Sequence, residues 1–534
     1  MATIAATGEQ KPTRKDIRLV ITASSLGTVF EWYDFFIYGT LAAIIGRTFF
    51  PSGNPTVELL LSLAGFAIGF GFRPLGAVLF GYLGDRLGRK YTFLITISLM
   101  GFATAAIGFV PSAAAIGFWA PAIVILLRVL QGLALGGEYG GAAIYVAEHA
   151  PDGKRGFYTS FIQASVAGGF VLSLAVVLGT QALVGAEAWA AWGWRIPFIF
   201  SLLLLAISLW MRLKLSESPV FKAMKAQGEL ARNPLKETFT YPGNGRRLFV
   251  ALFGIAAGLT VIWYTAMFQV LYFLQNALKV EDATAQMLVG IGACAGLGWF
   301  VLFGRLSDRV GRKKPIVIGY ALTLLLLFPL FKLIGAAANP ELAAAAARAP
   351  VVIEREACAF NPFAKQQKDF CGQAVGELTR LGVQYSFAPG AVAAPDRLSL
   401  RVGEGRHVVT DTKRVEPLLV EAGYRFDKVR PEGTAIVLIL LAILGLSALS
   451  GMTFGPVAAL LSELFPPRIR YSSMSIPYHI GTGYFGGFLP VISQYIIART
   501  GDPYAGLWYT FAVVAMALVV TAIWLPETVG RKLH

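Results

Sequence analysis

The chain has 534 residues, of which 56% are hydrophobic and only 14% are charged. Soluble domains carry about a quarter charged residues, so this composition excludes an ordinary soluble protein and predicts one that lies in a membrane. The formal net charge is +15, but the basic residues gather in short loops, which is typical of membrane topology and argues against nucleic-acid binding.

The N-terminal residues are polar as far as Arg18. The apolar run that follows is too long for the core of a signal peptide, so we expect it to remain as a membrane helix. A spanning helix needs about 20 apolar residues. Twelve runs meet this requirement, near 19–46, 57–82, 91–110, 119–147, 158–183, 194–213, 247–275, 285–306, 315–335, 433–461, 473–498 and 506–525.

Alternate loops between these runs differ in charge. Basic residues occur at 86–90, 154–155, 212–247, 309–314 and 468–470, whereas the opposite loops at 111–118, 184–193, 276–284 and 499–505 are nearly free of them. Because basic loops stay in the cytoplasm and the span count is even, we expect both termini to be cytoplasmic in a multi-pass protein of the cell inner membrane.

A ten-residue motif occurs twice: Gly81-Tyr-Leu-Gly-Asp-Arg-Leu-Gly-Arg-Lys90 and Gly304-Arg-Leu-Ser-Asp-Arg-Val-Gly-Arg-Lys313. Each copy follows an apolar run and begins a basic loop. The chain therefore consists of two similar halves. Paired repeats in a membrane chain are typical of secondary transporters, which bind substrate between the halves.

The second half contains extra sequence. Asp85 and Asp308 are 223 positions apart (308 − 85), whereas Glu148 and Glu463, in a second matching pair of segments, are 315 apart (463 − 148). The 92 additional residues (315 − 223) indicate a small folded insert on the external side, with a strand near 398–409 and a helix near 415–422. The predicted divisions are a six-helix bundle at 1–213, a cytoplasmic linker at 214–246, three helices at 247–335, the insert at 336–432 and three helices at 433–534.

Two of the three cysteines, Cys358 and Cys371, fall in the insert. An oxidising periplasm would permit a disulfide between them, and two unpaired thiols are the alternative. Cys294 lies in an apolar run and is interpreted as a packing residue. No His accompanies the cysteine pair, so we expect no metal site.

The repeated loop resembles the signature loop of the major facilitator superfamily. Further segments, Glu31-Trp-Tyr-Asp-Phe-Phe-Ile-Tyr-Gly39, Arg73-Pro-Leu-Gly76, Gln131 to Tyr139, Ala147 to Pro151 and Trp192 to Phe198, resemble the metabolite:proton symporter family. Its members include permeases for proline and betaine, α-ketoglutarate, citrate and shikimate. The resemblance implies an all-α membrane protein with two pseudo-symmetric six-helix bundles, and proton-coupled uptake by alternating access. It does not cover 336–432.

Ionisable residues inside membrane helices are expensive, so they face a cavity or a partner by default. Glu31 and Asp34 lie midway along the first run, Arg128 lies in the fourth, and Glu138 follows it. We expect Asp34 to pair with Arg128 when deprotonated and to release it when protonated. The family resemblance favours Asp34 over Glu31 for this role. A static pair that joins two helices is the alternative, and Glu138 has an equal alternative in helix packing.

Arg73 lies in the second run, where its planar guanidinium could bind a substrate carboxylate. The alternatives are that it extends toward the membrane surface or pairs with Glu31 or Asp34. His479 could relay a proton or donate to substrate, although a packing role is more usual for a lone His. An aromatic and polar face on the seventh run could line the cavity or belong to the interfacial belt. The candidate substrate contacts are Arg73, Tyr38, Trp263, Tyr264, Gln269 and His479.

The signature loops suggest a gate at the membrane surface. Asp85 with Arg89, and Asp308 with Arg312, could bond to neighbouring helix ends and hold the cytoplasmic side closed. Glu148 with Arg155, and Glu463 with Arg470, are expected to repeat this arrangement. The gating candidates are Asp85, Arg86, Arg89, Glu148, Arg155, Asp308, Arg309, Arg312, Glu463 and Arg470.

No nucleotide-binding loop, zinc-protease motif or hydrolase triad is found, so the sequence predicts a transporter and not an enzyme. The expected activity is proton-coupled symport of a small organic acid by a monomer, with no cofactor other than the coupling proton. Proline or betaine uptake is the alternative. A more remote possibility is a transporter-like sensor in which 336–432 acts as the receptor.

Overall fold

The computed structural model describes residues 14–531 except 88, 138–142, 145, 149, 152, 214–233, 365, 390–395 and 467–468. A helix lies at each predicted span, which confirms the twelve-helix architecture. The first six are α1 (Arg14–Thr40), α2 (Pro55–Gly71, continued by Arg73–Leu87), α3 (Arg89–Phe109), α4 (Trp119–Gly136), α5 (Arg155–Ala191) and α6 (Ile196–Leu213). The second six are α7 (Asn244–Ala277), α8 (Asp282–Val310), α9 (Lys313–Ala338), α10 (Thr434–Leu464), α11 (Arg470–Ile480, Gly481–Gly487 and Leu489–Thr500) and α12 (Leu507–Trp524).

Nine of these helices, within the part of the chain that the structure describes, are long and apolar enough to cross a membrane. The other three depart from that pattern for local reasons. α1 begins with a polar turn, α3 is strongly apolar only over Leu94–Phe109, and α11 contains Pro477 and a glycine-rich π-helical turn at Gly481–Gly487.

Two helices differ from the sequence-based expectation. α5 continues to Ala191 through a break at Gly185, where φ is 80°, although a short loop was expected over 184–193. The alanine-rich sequence after Gly185 favours a further helical turn. α7 contains π-helical turns at Val250–Ala256, Thr265–Gln269 and Phe273–Ala277, which hydrophobic periodicity does not reveal.

The chain forms two bundles, α1–α6 and α7–α12, which meet along two helix pairs. α5 packs against α8, and α2 packs against α11. These four helices therefore border the space between the bundles. We name the end of the molecule that holds Asp308 and Arg312 the signature end, and the opposite end, which carries the insert, the insert end.

The insert is a small α/β unit between α9 and α10. Strands β1 (Val351–Ile353), β2 (Tyr385–Phe387), β3 (Leu398–Val402) and β4 (Gly405–Val409) form one sheet in the order β2-β1-β3-β4. The predicted strand near 398–409 is the antiparallel β3–β4 hairpin, and the predicted helix is Val415–Glu421. Helices Pro340–Arg348 and Phe370–Leu381 complete the unit, and a disulfide joins Cys358 to Cys371. Cys294 is exposed on α8.

Glycines let α2 and α4 approach closely. A Cβ at Gly132 would lie 1.8 Å from the Gly69 carbonyl oxygen, and one at Gly136 would lie 2.1 Å from the Arg73 carbonyl oxygen. Small residues at such crossings permit the backbone contact that stabilises helix pairs in lipid. This crossing fixes the positions of Arg73 and Arg128, one on each helix.

We predict that Gly132→Ala destabilises the protein by about 1–3 kcal/mol, because the added methyl group overpacks the α2–α4 contact. The midpoint of thermal unfolding of the purified protein in detergent measures this. Gly179→Ala on α5 is the control, since its Cβ would meet no heavy atom within 4 Å. Equal midpoints for the two variants would show that the contact at Gly132 contributes nothing.

Candidate functional site

Aromatic rings from both bundles fill the middle of the interface. Phe36 of α1 stacks on Trp263 of α7 at 4.9 Å between ring centroids, and Phe70 of α2 meets Tyr264 edge-on at 5.6 Å. The space left beside them is about 10 Å³, which is roughly the volume that one water needs. We name this the central aromatic cluster: Trp32, Phe36 and Phe70 from the first bundle, and Trp263, Tyr264 and Phe268 from the second.

Arg73 borders the central aromatic cluster and is fully buried. Its guanidinium carbon lies 5.1 Å from the ring centroid of Trp32 and 5.2 Å from that of Phe70. Attraction between a cation and an aromatic face helps to hold this charge away from water. Arg73 also acts electrostatically on Tyr264 of α7 and His479 of α11, so it lies near candidate residues of the opposite bundle.

Arg128 on α4 is also fully buried, among the rings of α1 and α2. Its guanidinium carbon lies 4.2 Å from the centroid of Phe35 and 4.6 Å from that of Tyr38. Its Nη1 donates to Gln131 Oε1, and its Nη2 donates to the Phe66 carbonyl oxygen at 3.4 Å. The charge is therefore held within the first bundle by one side-chain amide and several rings.

A polar chain continues from Arg128 to α1. Gln131 Nε2 donates to Thr104 Oγ1 at 2.7 Å, and Thr104 Oγ1 lies 3.4 Å from the carbonyl oxygen of Asp34. These hydrogen bonds thus connect Arg128 to α1 through Thr104 of α3. Sequence reasoning quoted Gln131 within a motif but assigned it no role, and it overlooked Thr104. A buried amide one helical turn from a buried arginine was the available signal.

The expected ion pair between Asp34 and Arg128 is not formed in this structure. Asp34 is 5% exposed, and its Oδ1 accepts no hydrogen bond within the described residues. The reason is geometric: Arg128 is directed toward Phe35, Tyr38 and Gln131. Glu31, one turn away on α1, is 7% exposed and engaged in an interaction of its own.

The remaining candidates occupy separate places. Tyr38 lies on Arg128, and Gln269 Oε1 accepts from Gln494 Nε2 of α11 at 3.3 Å. His479 is fully buried, and its ring lies edge-on to Tyr478 at 5.7 Å. The structure thus brings Arg73, Trp263, Tyr264 and His479 to the interface and leaves Tyr38 inside the first bundle. Glu138 lies outside the described residues.

The signature end is closed by a bond between a side chain and a helix terminus. Asp308 accepts from the backbone N–H groups of Gly156 at 2.8 Å and Phe157 at 2.9 Å, which belong to the first turn of α5. A carboxylate is stabilised there by the free N–H groups and by the helix dipole. Gly156 and Gly304 permit the approach, since a Cβ at Gly156 would lie 2.3 Å from the Gly304 carbonyl oxygen.

Arg312 connects this contact to α10. Its Nη1 lies 2.7 Å from Asp308 Oδ1, and its Nη2 lies 3.0 Å from Glu463 Oε1. Glu527, beyond α12, accepts from the backbone N–H groups of Arg312 and Lys313 at the start of α9. Burial alone would raise the pKa of Glu527, but backbone N–H donors lower it overall, which keeps the carboxylate ionised. Glu527 was not among the gating residues predicted from the sequence.

Two predicted ion pairs are wrong in their partners. Glu148 pairs with Arg470 at 3.3 Å and Glu463 with Arg155 at 3.7 Å, whereas each acid was expected to pair within its own half. The loops of the two halves face each other across the interface, so each acid meets the arginine of the other half. These bonds therefore connect the bundles.

Arg309 and three charged residues of the first signature loop are the remaining gating candidates. Arg309 is exposed and, within the described part of the chain, contacts neither acid. For Asp85, Arg86 and Arg89 only the backbone is described, at the end of α2 and the start of α3, so the predicted role of their side chains lies outside the described structure.

The insert end is closed as well. Tyr272 Oη of α7 donates to the Gly39 carbonyl oxygen of α1 at 2.8 Å. Phe268 also covers Gly39, since a Cβ there would lie 2.7 Å from the ring. Deeper in the interface, a Cβ at Gly487 of α11 would lie 2.1 Å from Phe70 of α2, a member of the central aromatic cluster. Contacts at the signature end and at the insert end therefore separate the central aromatic cluster from the surroundings of the protein on both sides.

Two bundles with buried charges between them and closures at both ends are the arrangement of a transporter. A family model for sugar (and other) transporters matches residues 19–248 and 422–534. The chain belongs to this family, within the major facilitator superfamily. It is accordingly a membrane transporter and not an enzyme. The match leaves out residues 249–421, which hold most of the insert, as expected, and also most of α7 together with α8 and α9.

Individual relatives agree with this assignment. The chain is 32% identical to the inner membrane metabolite transport protein YhjE of Escherichia coli, over 94% of this chain and 92% of that protein. It is 38% identical to the glycine betaine/proline/ectoine/pipecolic acid transporter OusA of Dickeya dadantii, over 60% of this chain and 65% of that protein. The proton:xylose symporter XylE shares the fold, with a TM-score of 0.61, 18% identity and coverage of 97% of both chains.

We predict that Arg312→Gln opens the signature end. Removal of one partner from a buried ion pair costs about 3–5 kcal/mol, and here it leaves Asp308 and Glu463 without their shared cation. Spin labels at exposed positions 154 and 314, in a Cys294→Ser background, would report the separation of the bundles by pulsed electron paramagnetic resonance. The population at long distance should increase at least tenfold.

Arg309→Gln is the matched control, since it removes an equal charge from an exposed neighbour that takes no part in the network. It should leave the distance distribution as it is in the parent protein. Identical distributions for the two variants would contradict a closing role for Arg312.

Proposed function

We propose that this transporter is a proton-coupled symporter that takes up a small organic acid by alternating access. The observation that carries the proposal is that a fully buried arginine, Arg73, borders the closed space between the bundles, with a second, Arg128, buried inside the first bundle. We further propose that the signature end and both termini face the cytoplasm, that the insert lies outside, and that the protein works as a monomer. In this orientation the bonds of Asp308, Glu148 and Glu463 form the inner gate.

Asp34 is the proposed proton carrier. Its carboxylate is buried, and within the described residues it forms no ion pair with a cation. An isolated charge is costly in such a place, so a neutral, protonated carboxyl suits this closed conformation. When the bundles rearrange, Arg128 can leave Gln131 and pair with Asp34, which would drive the proton off. Glu31 and Glu138 remain further candidates for the same pathway.

We predict that Asp34→Asn abolishes substrate accumulation driven by a pH gradient while it preserves exchange of labelled for unlabelled substrate. The carboxamide has the shape of the protonated acid but cannot release a proton. Proteoliposomes with an imposed pH gradient measure accumulation, and the same vesicles without a gradient measure exchange.

Glu58→Gln is the matched control for Asp34→Asn. Glu58 is another buried acid of the first bundle, and it accepts from the backbone N–H groups of Ser52 at 2.9 Å and Gly53 at 3.1 Å at the start of α2. It should retain gradient-driven accumulation. Full accumulation by Asp34→Asn would assign the proton to another residue.

An organic acid is the proposed substrate because a buried guanidinium borders the central space between the bundles. Arg73 borders the central space from the first bundle, and its guanidinium has the planar shape that binds a carboxylate through two parallel bonds. His479 and Tyr264 lie near it on the second bundle and can supply further donors. A carboxylate bound there would contact both bundles, as alternating access requires.

A second candidate substrate is a betaine or proline-like zwitterion. The central aromatic cluster surrounds Arg73 with Trp32, Phe70 and Tyr264. Aromatic faces attract quaternary ammonium groups, so the same site could hold the carboxylate on Arg73 and the ammonium on the rings. The similarity to the OusA transporter favours this alternative.

A substrate panel decides between these candidates. Proteoliposomes should accumulate one of α-ketoglutarate, citrate or shikimate when a pH gradient is imposed, and should lose this accumulation when the gradient is collapsed. Arg73→Lys should raise KM for that acid at least tenfold, since a point charge cannot reproduce two parallel bonds. Accumulation of glycine betaine or proline alone would replace the organic acid, and absence of all uptake would favour a sensor.

A further inference from the structure

A second cavity of about 290 Å³ lies at the insert end, between the two bundles and the insert. Its volume is near the lower limit of typical small-molecule sites, roughly 300 Å³. Arg47, just after α1, and Thr56 of α2 line it from the first bundle, while Lys279 lines it from the loop between α7 and α8. The insert contributes Arg380 and Lys428. We name this cavity the vestibule.

The vestibule carries excess positive charge. Four of its lining side chains are basic and one, Asp282, is acidic. Lys428 is paired with Asp282 at 3.0 Å, and Arg380 is paired with acids of the insert. Arg47 and Lys279 have no acidic partner among the described residues. Two cations in a partly enclosed space therefore lack a counter-charge, which attracts and concentrates anions.

Lys279 is held in an unfavourable conformation. It is the only non-glycine residue with positive φ, 56°, within the described chain, and such a backbone costs about 1–3 kcal/mol and recurs at ligand sites. The insert fixes it there, because Val429 N–H donates to the Lys279 carbonyl oxygen at 2.9 Å. Burial, Lys428 and Arg380 lower the pKa of Lys279 to about 8, so a bound anion would relieve the crowding of positive charge.

The vestibule lies directly outside the closure between α1 and α7. Tyr272, whose hydroxyl donates to the Gly39 carbonyl oxygen, forms part of its wall, and so does Gln494, which donates to Gln269. A molecule held in the vestibule would therefore be next to the central space when these contacts separate.

The insert contacts both bundles around the vestibule. Thr56 Oγ1 of α2 donates to the Thr379 carbonyl oxygen at 3.3 Å, whereas Tyr385 Oη of β2 donates to the Ala498 carbonyl oxygen of α11 at 3.1 Å. Backbone bonds between Val429 and the loop after α7 add to the contact with the second bundle. Since the contacts to the first bundle are fewer and longer, we expect the insert to move with the second bundle when this end opens.

We propose that the vestibule is an anion-binding site that takes a small di- or tricarboxylate before the insert end opens, with Lys279 and Arg47 as its principal ligands. The proposal rests on the proposed organic-acid transport and names where the acid first binds. The insert completes the site, since it supplies Arg380 and Lys428 and fixes the backbone of Lys279.

Chemical labelling of Lys279 tests binding without any transport. The full-length protein in phosphatidylcholine vesicles is treated at pH 8 with an amine-acetylating ester, and the labelling rate of each lysine is read by mass spectrometry. Citrate should slow the labelling of Lys279 at least fivefold relative to sodium chloride of equal ionic strength. The exposed Lys413 of the insert is the internal reference and should be unaffected.

Two outcomes would overturn the proposal. One is equal labelling of Lys279 with and without citrate. The other is protection by phosphatidylglycerol in the vesicles with no further effect of citrate, which would assign the site to a lipid phosphate.

Transport kinetics provide the second test. Lys279→Gln and Arg47→Gln should each raise KM for the transported acid about fivefold to tenfold with kcat unchanged, because a charge that steers and holds the anion is lost. Lys279→Arg should restore KM. Arg425→Gln is the control, since Arg425 is an exposed insert residue that does not line the vestibule. Unchanged KM in both vestibule variants would overturn the proposal.

The two proposals fail in different ways. If only betaine is accumulated while citrate still protects Lys279, the proposed substrate is wrong and the anion site stands apart from transport. If an organic acid is accumulated while Lys279 is never protected, the vestibule proposal fails alone.

Discussion

A charge that is buried away from water needs a partner within the protein, and this constraint accounts for the placement of Arg128 and Asp308. Arg128 is satisfied by Gln131, a carbonyl oxygen and aromatic faces, so it remains inside one bundle. Asp308 is satisfied by backbone N–H groups of the other bundle. Partners of the first kind, from the same bundle, stabilise that bundle. Partners of the second kind, from the other bundle, stabilise one position of the two bundles relative to each other. Bonds of the second kind must be exchanged when the signature end opens.

A change of conformation depends on three features: the helix crossings within each bundle, the helix pairs between the bundles, and the polar groups at the two ends. Glycine-mediated crossings such as α2 with α4 make each bundle a stiff unit. Long helices that meet in pairs, α5 with α8 and α2 with α11, provide the surfaces that slide or separate. Polar groups at the signature end and the insert end then determine at which end the space between the bundles is open. The central aromatic cluster has no obligatory polar bonds between its rings, so it can part and repack around a substrate at a modest cost.

The sequence predicted the fold because its signals are local or repeated. Span lengths, basic loops and the duplicated motif identified the helices, the two halves and the insert. The high cost of a charge inside a membrane helix also pointed to Arg73 and Arg128. The partners of the ion pairs at the signature end were not predictable. Glu148 and Glu463 pair with arginines that are more than 300 residues distant in sequence. The π-helical turns of α7 and the strained Lys279 depend on packing against other elements, which periodicity does not encode.

The crossed ion pairs at the signature end have a consequence for how such a chain could arise. Glu148 with Arg470, and Glu463 with Arg155, are the same bond made twice about the axis that relates the halves. A half-length chain with one such Glu and one such Arg would form both bonds by pairing with a copy of itself, in the manner of a two-fold symmetric dimer. Gene fusion would then preserve a closure that already worked between separate subunits, and it would free each half to acquire its own additions.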